Sequence, residues 1–236
     1  MIIDAHCHLG VSRARDWSQT PEELRAAMDE AGVDRACVFG FPDTVDNEAI
    51  LATARADDRL IGLACVDPNK PDAADELERG LRGGLRGLRL HPYLHGFTLS
   101  MPIVDPLFEV CAQYGAPVLC HGADDAPANN PYQFLAMAER HPRVNLVALY
   151  GGFVWNVGDL AEIAARRDNV YLEVSTYAPG TLRNALTIAG PGKFIFGSGL
   201  PDGDQVVTLR RLRVALPDDE ARALVLGGTM RRLLTL

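Results

Sequence analysis

Two histidines stand one residue apart near the start of the chain: in DAHCHLG, residues 4–10, His6 and His8 flank Cys7. In an extended segment this spacing turns both imidazoles one way, with Asp4 in the same parity below them, while Cys7 turns into the wall. Two neutral imidazoles suit zinc, iron or nickel, and a third ligand from another part of the chain has to complete such a site. The same pair serves equally well as the hydrogen-bonded polar rim of a buried strand, and the spacing alone leaves both readings open. His121, at the end of the apolar run APVLCH, is the candidate third ligand. Cys120 and His121 do not form a nucleophile pair, because adjacent strand residues point to opposite faces.

Arg89 and His91, in GLRGLRLH, also share a strand face. A guanidinium there can hold a substrate carboxylate through its planar fork. It can equally pair with Asp4 or Glu173 as scaffolding. Glu173, in YLEVS, needs a partner or a shifted pKa if it faces an interior. Tyr93, His95 and Trp155 fall in loops where ligand contacts are possible but not required, and His141, before Pro142, reads as a helix-end residue.

These residues need a frame that brings strand ends together. Eight short apolar runs read as strands: residues 1–6, 35–41, 60–66, 84–91, 116–121, 144–150, 170–175 and 193–198. Amphipathic segments of helical period lie between them, several opening on Thr-Pro, Asp or Asn-Pro and closing at Gly or His-Pro. Strands alternating with such helices imply a parallel sheet with right-handed crossovers, and eight units count out a TIM-like (β/α)8 barrel as one domain over residues 1–236. No GxGxxG follows the first strand, which removes the usual reason to prefer an open doubly wound sheet. After the eighth strand, DGDQVVTLRRLRVAL supplies an outer helix. The tail, about 217–236, reads as two short helices: one starts at Pro217, Asp218 and Asp219, and Gly227 and Gly228 break it before Met230–Leu234. In such a barrel the polar strand ends gather at one face, where the chemistry sits.

The bulk properties fit a folded protein of this size. Of 236 residues, 47% are apolar and 23% charged, with a net charge of −8 and no dominant basic block, which argues against a nucleic-acid partner. No segment resembles a signal peptide, and no run of 18 apolar residues could cross a bilayer, so a cytoplasmic protein is expected. Five widely spaced cysteines form neither a disulfide framework nor a CxxC knuckle, and the four in apolar contexts such as RACVFGF and PVLCHG read as small buried hydrophobes. Residues 101–104 and the helix faces would be the surfaces for a homo-oligomer, although packing onto the sheet explains apolar helix faces more simply.

The pieces, in order, resemble the amidohydrolase superfamily, in the amidohydrolase-related group of metal-dependent barrel hydrolases and decarboxylases. IDAHCHLG resembles the opening HxH segment, GLRGLRLHP the strand-four segment, PVLCHGA the strand-five histidine segment, HPRVNLVALYGG the approach to strand six, NVYLEVS strand seven and KFIFGSGLP strand eight. The resemblance implies His6 and His8 as paired ligands of a divalent metal, most simply zinc, with His121 as the strand-five ligand. It also marks departures. Tyr150 stands where strand six usually ends in histidine, Gly199 where strand eight carries the aspartate that binds metal and deprotonates water, and Thr229 replaces the usual Asn of the closing segment in GGTMRRLL.

A three-histidine site with an open water position remains chemically adequate for zinc. His91, Asp124, Tyr150 and Glu173 are then the groups placed to relay its proton, and Arg89 the group placed to hold a carboxylated ligand. The expectation is a metal-dependent hydrolase-like protein for a small organic substrate. Two alternatives stay open: a catalytically altered relative that binds a small molecule or decarboxylates it, and metal-independent acid–base chemistry by His91, His121 and Asp124, which chelation would leave unchanged.

Overall fold

The computed structural model describes residues 1–123, 130–153, 155–216 and 218–236. Its strands are β1 (Ile3–Ser12), β2 (Trp17–Gln19), β3 (Arg35–Gly40), β4 (Leu60–Gly62), β5 (Ala64–Cys65), β6 (Leu88–Leu90), β7 (Val118–His121), β8 (Leu146–Leu149), β9 (Val170–Glu173) and β10 (Phe194–Ile195). Two parallel sets, β1-β3-β4 and β10-β9-β8-β7-β6-β5, make the wall. They meet on one side at Leu63, where β4 and β5 are one barrel strand interrupted by a single residue: Leu63 N donates to Val38 O at 2.8 Å and Arg86 N to Gly62 O at 2.8 Å. On the other side Ala5 N donates to Phe196 O at 3.0 Å and His8 N to Leu200 O at 2.9 Å. The wall therefore closes as a TIM-type barrel of eight strands, as the alternation of strands and helices implies.

The crossover helices are α1 (Pro21–Ala31), α2 (Asn47–Ala56), α3 (Ala73–Gly83), α5 (Asp105–Tyr114), α6 (Pro131–Arg140), α7 (Val157–Arg166), α8 (Pro179–Ala189) and α9 (Gln205–Ala215), with a short α4 (Pro92–His95) after β6. Their starts are written in the sequence. Thr20 and Glu23 form a reciprocal capping box before α1, and Gly32 closes that helix in the left-handed conformation. Asp46, Asn130 and Asp204 cap α2, α6 and α9 with their side chains. Leu24 and Met28 of α1, and Leu77 and Leu81 of α3, bury against the outer face of the wall. All five cysteines are free and buried, in keeping with a packing role.

A second apolar cluster fills the barrel itself, with Ile3, Ala5, Phe39, Leu119, Val147, Leu149, Tyr171 and Ile195 meeting Met230, Leu233 and Leu234. The last three belong to the tail, where α10 (Asp219–Ala223), a π turn (Leu224–Gly228) and α11 (Thr229–Leu233) run on as one helical stretch. The expected break at Gly227 and Gly228 is thus a π turn, and Gly227 serves close approach: a Cβ there would lie 2.4 Å from the Met1 carbonyl oxygen. Gly227→Ala is therefore expected to lower the unfolding free energy by about 1–3 kcal/mol, as overpacking does, and with it the urea midpoint. An unchanged midpoint would show that the N-terminal backbone yields freely.

The structure departs from a simple reading at β1. Its register against β3 shifts between Asp4 and Cys7, so the side-chain alternation slips by one. Ile3 and Ala5 face the barrel interior, whereas Cys7 and Leu9 face the helices. Asp4 accordingly does not lie beneath the two histidines. It points outward, accepting from Ser198 N at 2.9 Å and from Gln205 Nε2 of α9 at 2.8 Å. The slip turns His6 and His8 inward. The hairpin β1–β2, not anticipated from the sequence, crosses above them.

Candidate active site at the strand ends

Seven of the eight singled-out side chains converge at the C-terminal end of the barrel. His6 and His8 come from β1, Arg89 and His91 from β6 and the first residue beyond it, His121 from β7 and Glu173 from β9; all are buried. Tyr150 joins them from the single 3-10 turn Tyr150–Gly152 that follows β8. Asp124 lies outside the described residues.

The histidines differ in which nitrogen they offer. His8 Nδ1 lies 3.2 Å from the Leu200 carbonyl oxygen, which can only accept, so this nitrogen carries the hydrogen and Nε2 presents a lone pair. His6 Nδ1 lies 3.0 Å from Glu173 Oε2, and its buried Nε2 has no hydrogen-bond partner. His91 is the reverse case: its Nδ1 accepts from Leu94 N at 3.4 Å as the N-cap of α4, which leaves a donor at Nε2. Its ring stacks on His121 at 4.0 Å between centroids. Burial, followed by the field of Arg89, holds His6 and His91 well below the usual imidazole range, and burial with the charges of His6 and Arg89 does the same to His8. These rings are neutral near pH 7.

Glu173 is the hub of the wall. Its carboxylate accepts from His6, from Tyr150 N at 2.9 Å, from Ser175 Oγ at 3.0 Å and from Ser175 N. Burial pushes its pKa up to about 7 against the lowering effect of these donors. Arg89 is 1% exposed and, among the described residues, makes no ion pair. The scaffolding pairs with Asp4 or Glu173 are absent from the ion pairs of the described residues. Its Nη1 donates to the Leu90 carbonyl, its Nε has no partner, and its guanidinium lies 5.4 Å from the Phe39 ring centroid.

Arg89, His8, His91, His121 and Tyr150 line one cavity of about 20 Å³, room for a water or two. Arg15 and Trp17 of the hairpin close its mouth, the guanidinium 4.8 Å above the indole. Asp43 ties that hairpin down by accepting from Ser12 Oγ at 3.2 Å and Ala14 N at 2.9 Å. A larger cleft of about 350 Å³ between α6 and α7 is lined by surface charges and apolar side chains with no convergent buried group, so the small cavity is the better candidate. The remaining residues noted in the sequence stand elsewhere. His95 Nε2 binds the Pro42 carbonyl at 2.9 Å, His141 caps α6 and pairs with Asp105 at 2.9 Å, and Trp155 is 83% exposed.

Sequence reasoning missed Phe39 and Phe41, which pack on His8 with centroids 4.8 Å away, and the hairpin lid. Trp17 shortly before the Thr20-Pro21 helix start was the available signal for the lid.

Among the described residues the side chains do not complete a metal centre. His6 and His8 are two prepared ligands, yet among the described residues no group of three or more His, Cys, Asp or Glu side chains is arranged to hold a metal ion. The Tyr150 ring stands edge-on to His6 at 4.8 Å and to His121 at 5.2 Å, in contact with both histidines that a cation would have to bridge.

No curated protein sequence matches the chain. Its fold is that of several solved structures. The 5-carboxyvanillate decarboxylase LigW from Sphingomonas paucimobilis is 18% identical, with a TM-score of 0.79 over 100% of this chain and 99% of that one. A dihydroxybenzoic acid decarboxylase from Polaromonas sp. JS666, with bound manganese and the inhibitor 2-nitroresorcinol, is 14% identical, with a TM-score of 0.80 over 100% and 97%. A probable 2-pyrone-4,6-dicarboxylic acid hydrolase from Acinetobacter baumannii with citric acid bound is 18% identical, with a TM-score of 0.75 over 100% and 99%. The sequence profile described as Amidohydrolase matches residues 3–236, the whole length that carries the barrel and its strand-end bowl, and the chain belongs to that family.

Proposed function

We propose that the chain is an acid–base enzyme for a small organic carboxylate, which it holds on Arg89 without a metal. One observation carries this reading: a guanidinium 1% exposed, with no acidic partner among the described residues, faces a cavity, which takes in an organic ligand only when the Arg15–Trp17 hairpin over its mouth lifts. Burying an unpaired charge costs several kcal/mol, roughly, and an anionic ligand relieves that cost. Around the cavity His8 Nε2 accepts and His91 Nε2 donates, so one proton can leave the ligand while another is returned. The Tyr150 hydroxyl, whose pKa burial pushes up to about 12, adds a second neutral donor. Proton transfer at a carbon beside the bound carboxylate is the reaction class this set supports, the step common to decarboxylation and isomerisation. That two of the neighbours described above are decarboxylases of aromatic acids is consistent with it.

The test is a titration with a series of aromatic and aliphatic carboxylates, followed by NMR line shape, with and without a strong chelator. Saturable binding indifferent to chelation is expected. Binding that disappears with the chelator would sink the metal-free reading.

A second reading has its own support. The anchored Nδ1 atoms of His6 and His8 leave two Nε2 lone pairs free of hydrogen-bonded protons, which is how imidazoles are prepared for a cation. A divalent metal such as zinc, held by His6, His8 and His121, would acidify a bound water for hydrolysis. Elemental mass spectrometry of the wild type beside His6→Ala/His8→Ala decides it: about one metal per chain, lost in the double variant, would favour this reading over the first.

A further inference from the structure

The two departures from the family pattern, at 150 and 199, touch each other. A Cβ built on Gly199 would meet Tyr150 Cε1 at 3.7 Å and its hydroxyl oxygen at 3.9 Å. That is ordinary contact for one carbon, and any longer side chain reaching from there toward His6 and His121 would enter the volume of the ring. The ring itself packs edge-on against both of those histidines, 4.8 Å from His6 and 5.2 Å from His121 between centroids. Its backbone is held firmly: Tyr150 N donates to Glu173, Thr176 Oγ1 donates to the Tyr150 carbonyl at 3.1 Å, and the residue sits at φ 62°, a left-handed conformation that non-glycine residues seldom adopt. Such a residue is kept in place by its surroundings and does not swing aside cheaply. Arg89 faces the same bowl and opposes a dication electrostatically.

We propose that Tyr150 stands in the position a cation would take, and that Gly199 is the residue that makes room for it. The exchanges at 150 and 199 are then one coupled change, and reversing both opens a divalent-metal site that neither single reversal provides. The proposal rests on the metal-free reading above and deepens it by naming what excludes the metal. Gly199 has φ 76°, a conformation that Asp tolerates better than most residues, so Gly199→Asp is a realistic substitution.

The experiment loads wild type, Tyr150→His, Gly199→Asp and the double variant with zinc or manganese, removes loose ion by gel filtration and counts metal by elemental mass spectrometry. The double variant is expected to retain about one ion per chain and the other three less than about a tenth of that. Stoichiometric metal on the wild type, or on Gly199→Asp as fully as on the double variant, would overturn the proposal. Should the double variant not fold, Tyr150→Ala supplies the decision. Vacating the ring should tighten cobalt binding at His6 and His8 by roughly tenfold or more over wild type, read by spectroscopic titration, and unchanged affinity would refute the plug. The carboxylate titration is independent of these counts. Its failure beside the expected metal pattern would remove the carboxylate enzyme and leave the plug, whereas the reverse outcome would remove the plug alone.

Discussion

Arg89→Met is expected to raise the stability of the ligand-free protein while abolishing its carboxylate binding. The two effects come from one cause. A methionine of similar reach has no charge to desolvate, and exchanging buried charge for well-packed apolar volume commonly gains on the order of 1–4 kcal/mol. That gain is a net figure, which already contains the polar contacts given up, here the hydrogen bond to the Leu90 carbonyl and the contact with Phe39. The balance lies on the side of stabilisation, by about 1–4 kcal/mol. Ligand binding should weaken by at least ~30-fold, since truncating one partner of a buried charge pair costs about 2–5 kcal/mol. Urea unfolding and the NMR titration measure the two arms. A variant clearly less stable than wild type would assign Arg89 to scaffolding, and retained binding would remove it from ligand recognition.

Glu173→Ala should have the opposite character, losing both stability and the order of the bowl. The carboxylate satisfies donors from His6, Tyr150 and Ser175, all in the buried wall. Removing it strands them, and a loss of about 3–5 kcal/mol is expected from such a broken buried network. The milder Glu173→Gln isolates the charge. The folded-state pKa of Glu173 is raised from 4.5 to about 7, so its protonated form is the one the fold favours. Its contribution to stability is therefore complete below pH 4.5 and is lost as pH rises through about 7. Burial raises Asp4 as well, with the same sign. Unfolding free energies between pH 4.5 and 8 should fall less steeply in Glu173→Gln than in wild type. Parallel profiles would show that Glu173 keeps an ordinary carboxyl pKa in the fold.

Much of the barrel was legible because each strand and helix declares itself locally. Apolar runs such as VNLVALY and starts such as Thr20-Pro21-Glu22-Glu23 need no tertiary information, and the parallel order follows from their alternation. The membership of the bowl was legible for the same reason: strands of one barrel deliver their last polar residues to one end, so His91, His121 and Glu173 could be named from position. What local pattern cannot report is a slip in alternation. The expectation that Asp4 underlies His6 and His8 failed at the irregularity between Asp4 and Cys7, which no residue type announces. Gly227 and Gly228 looked like a helix break because a glycine pair reads the same whether it ends a helix or admits a neighbouring backbone; only the position of Met1 distinguishes the two. The left-handed conformation of Tyr150 and the contact of its ring with two histidines are likewise tertiary facts. No helix among the described residues is long and apolar enough to cross a membrane.

The irregularity in β1 has a consequence for how this bowl can change over evolutionary time. Because it reverses the alternation between Ala5 and His6, the irregularity absorbs one residue of β1 without moving either histidine off the inner face. Loss of the Ala5 codon would restore a regular ladder and leave His6 and His8 facing inward, with Cys7 still against the helices. One small deletion would thus change the strand while leaving the bowl as it is. Chains of this kind that differ by one residue before their HxH segment should be compared by which side chains face inward, and not by aligned letters.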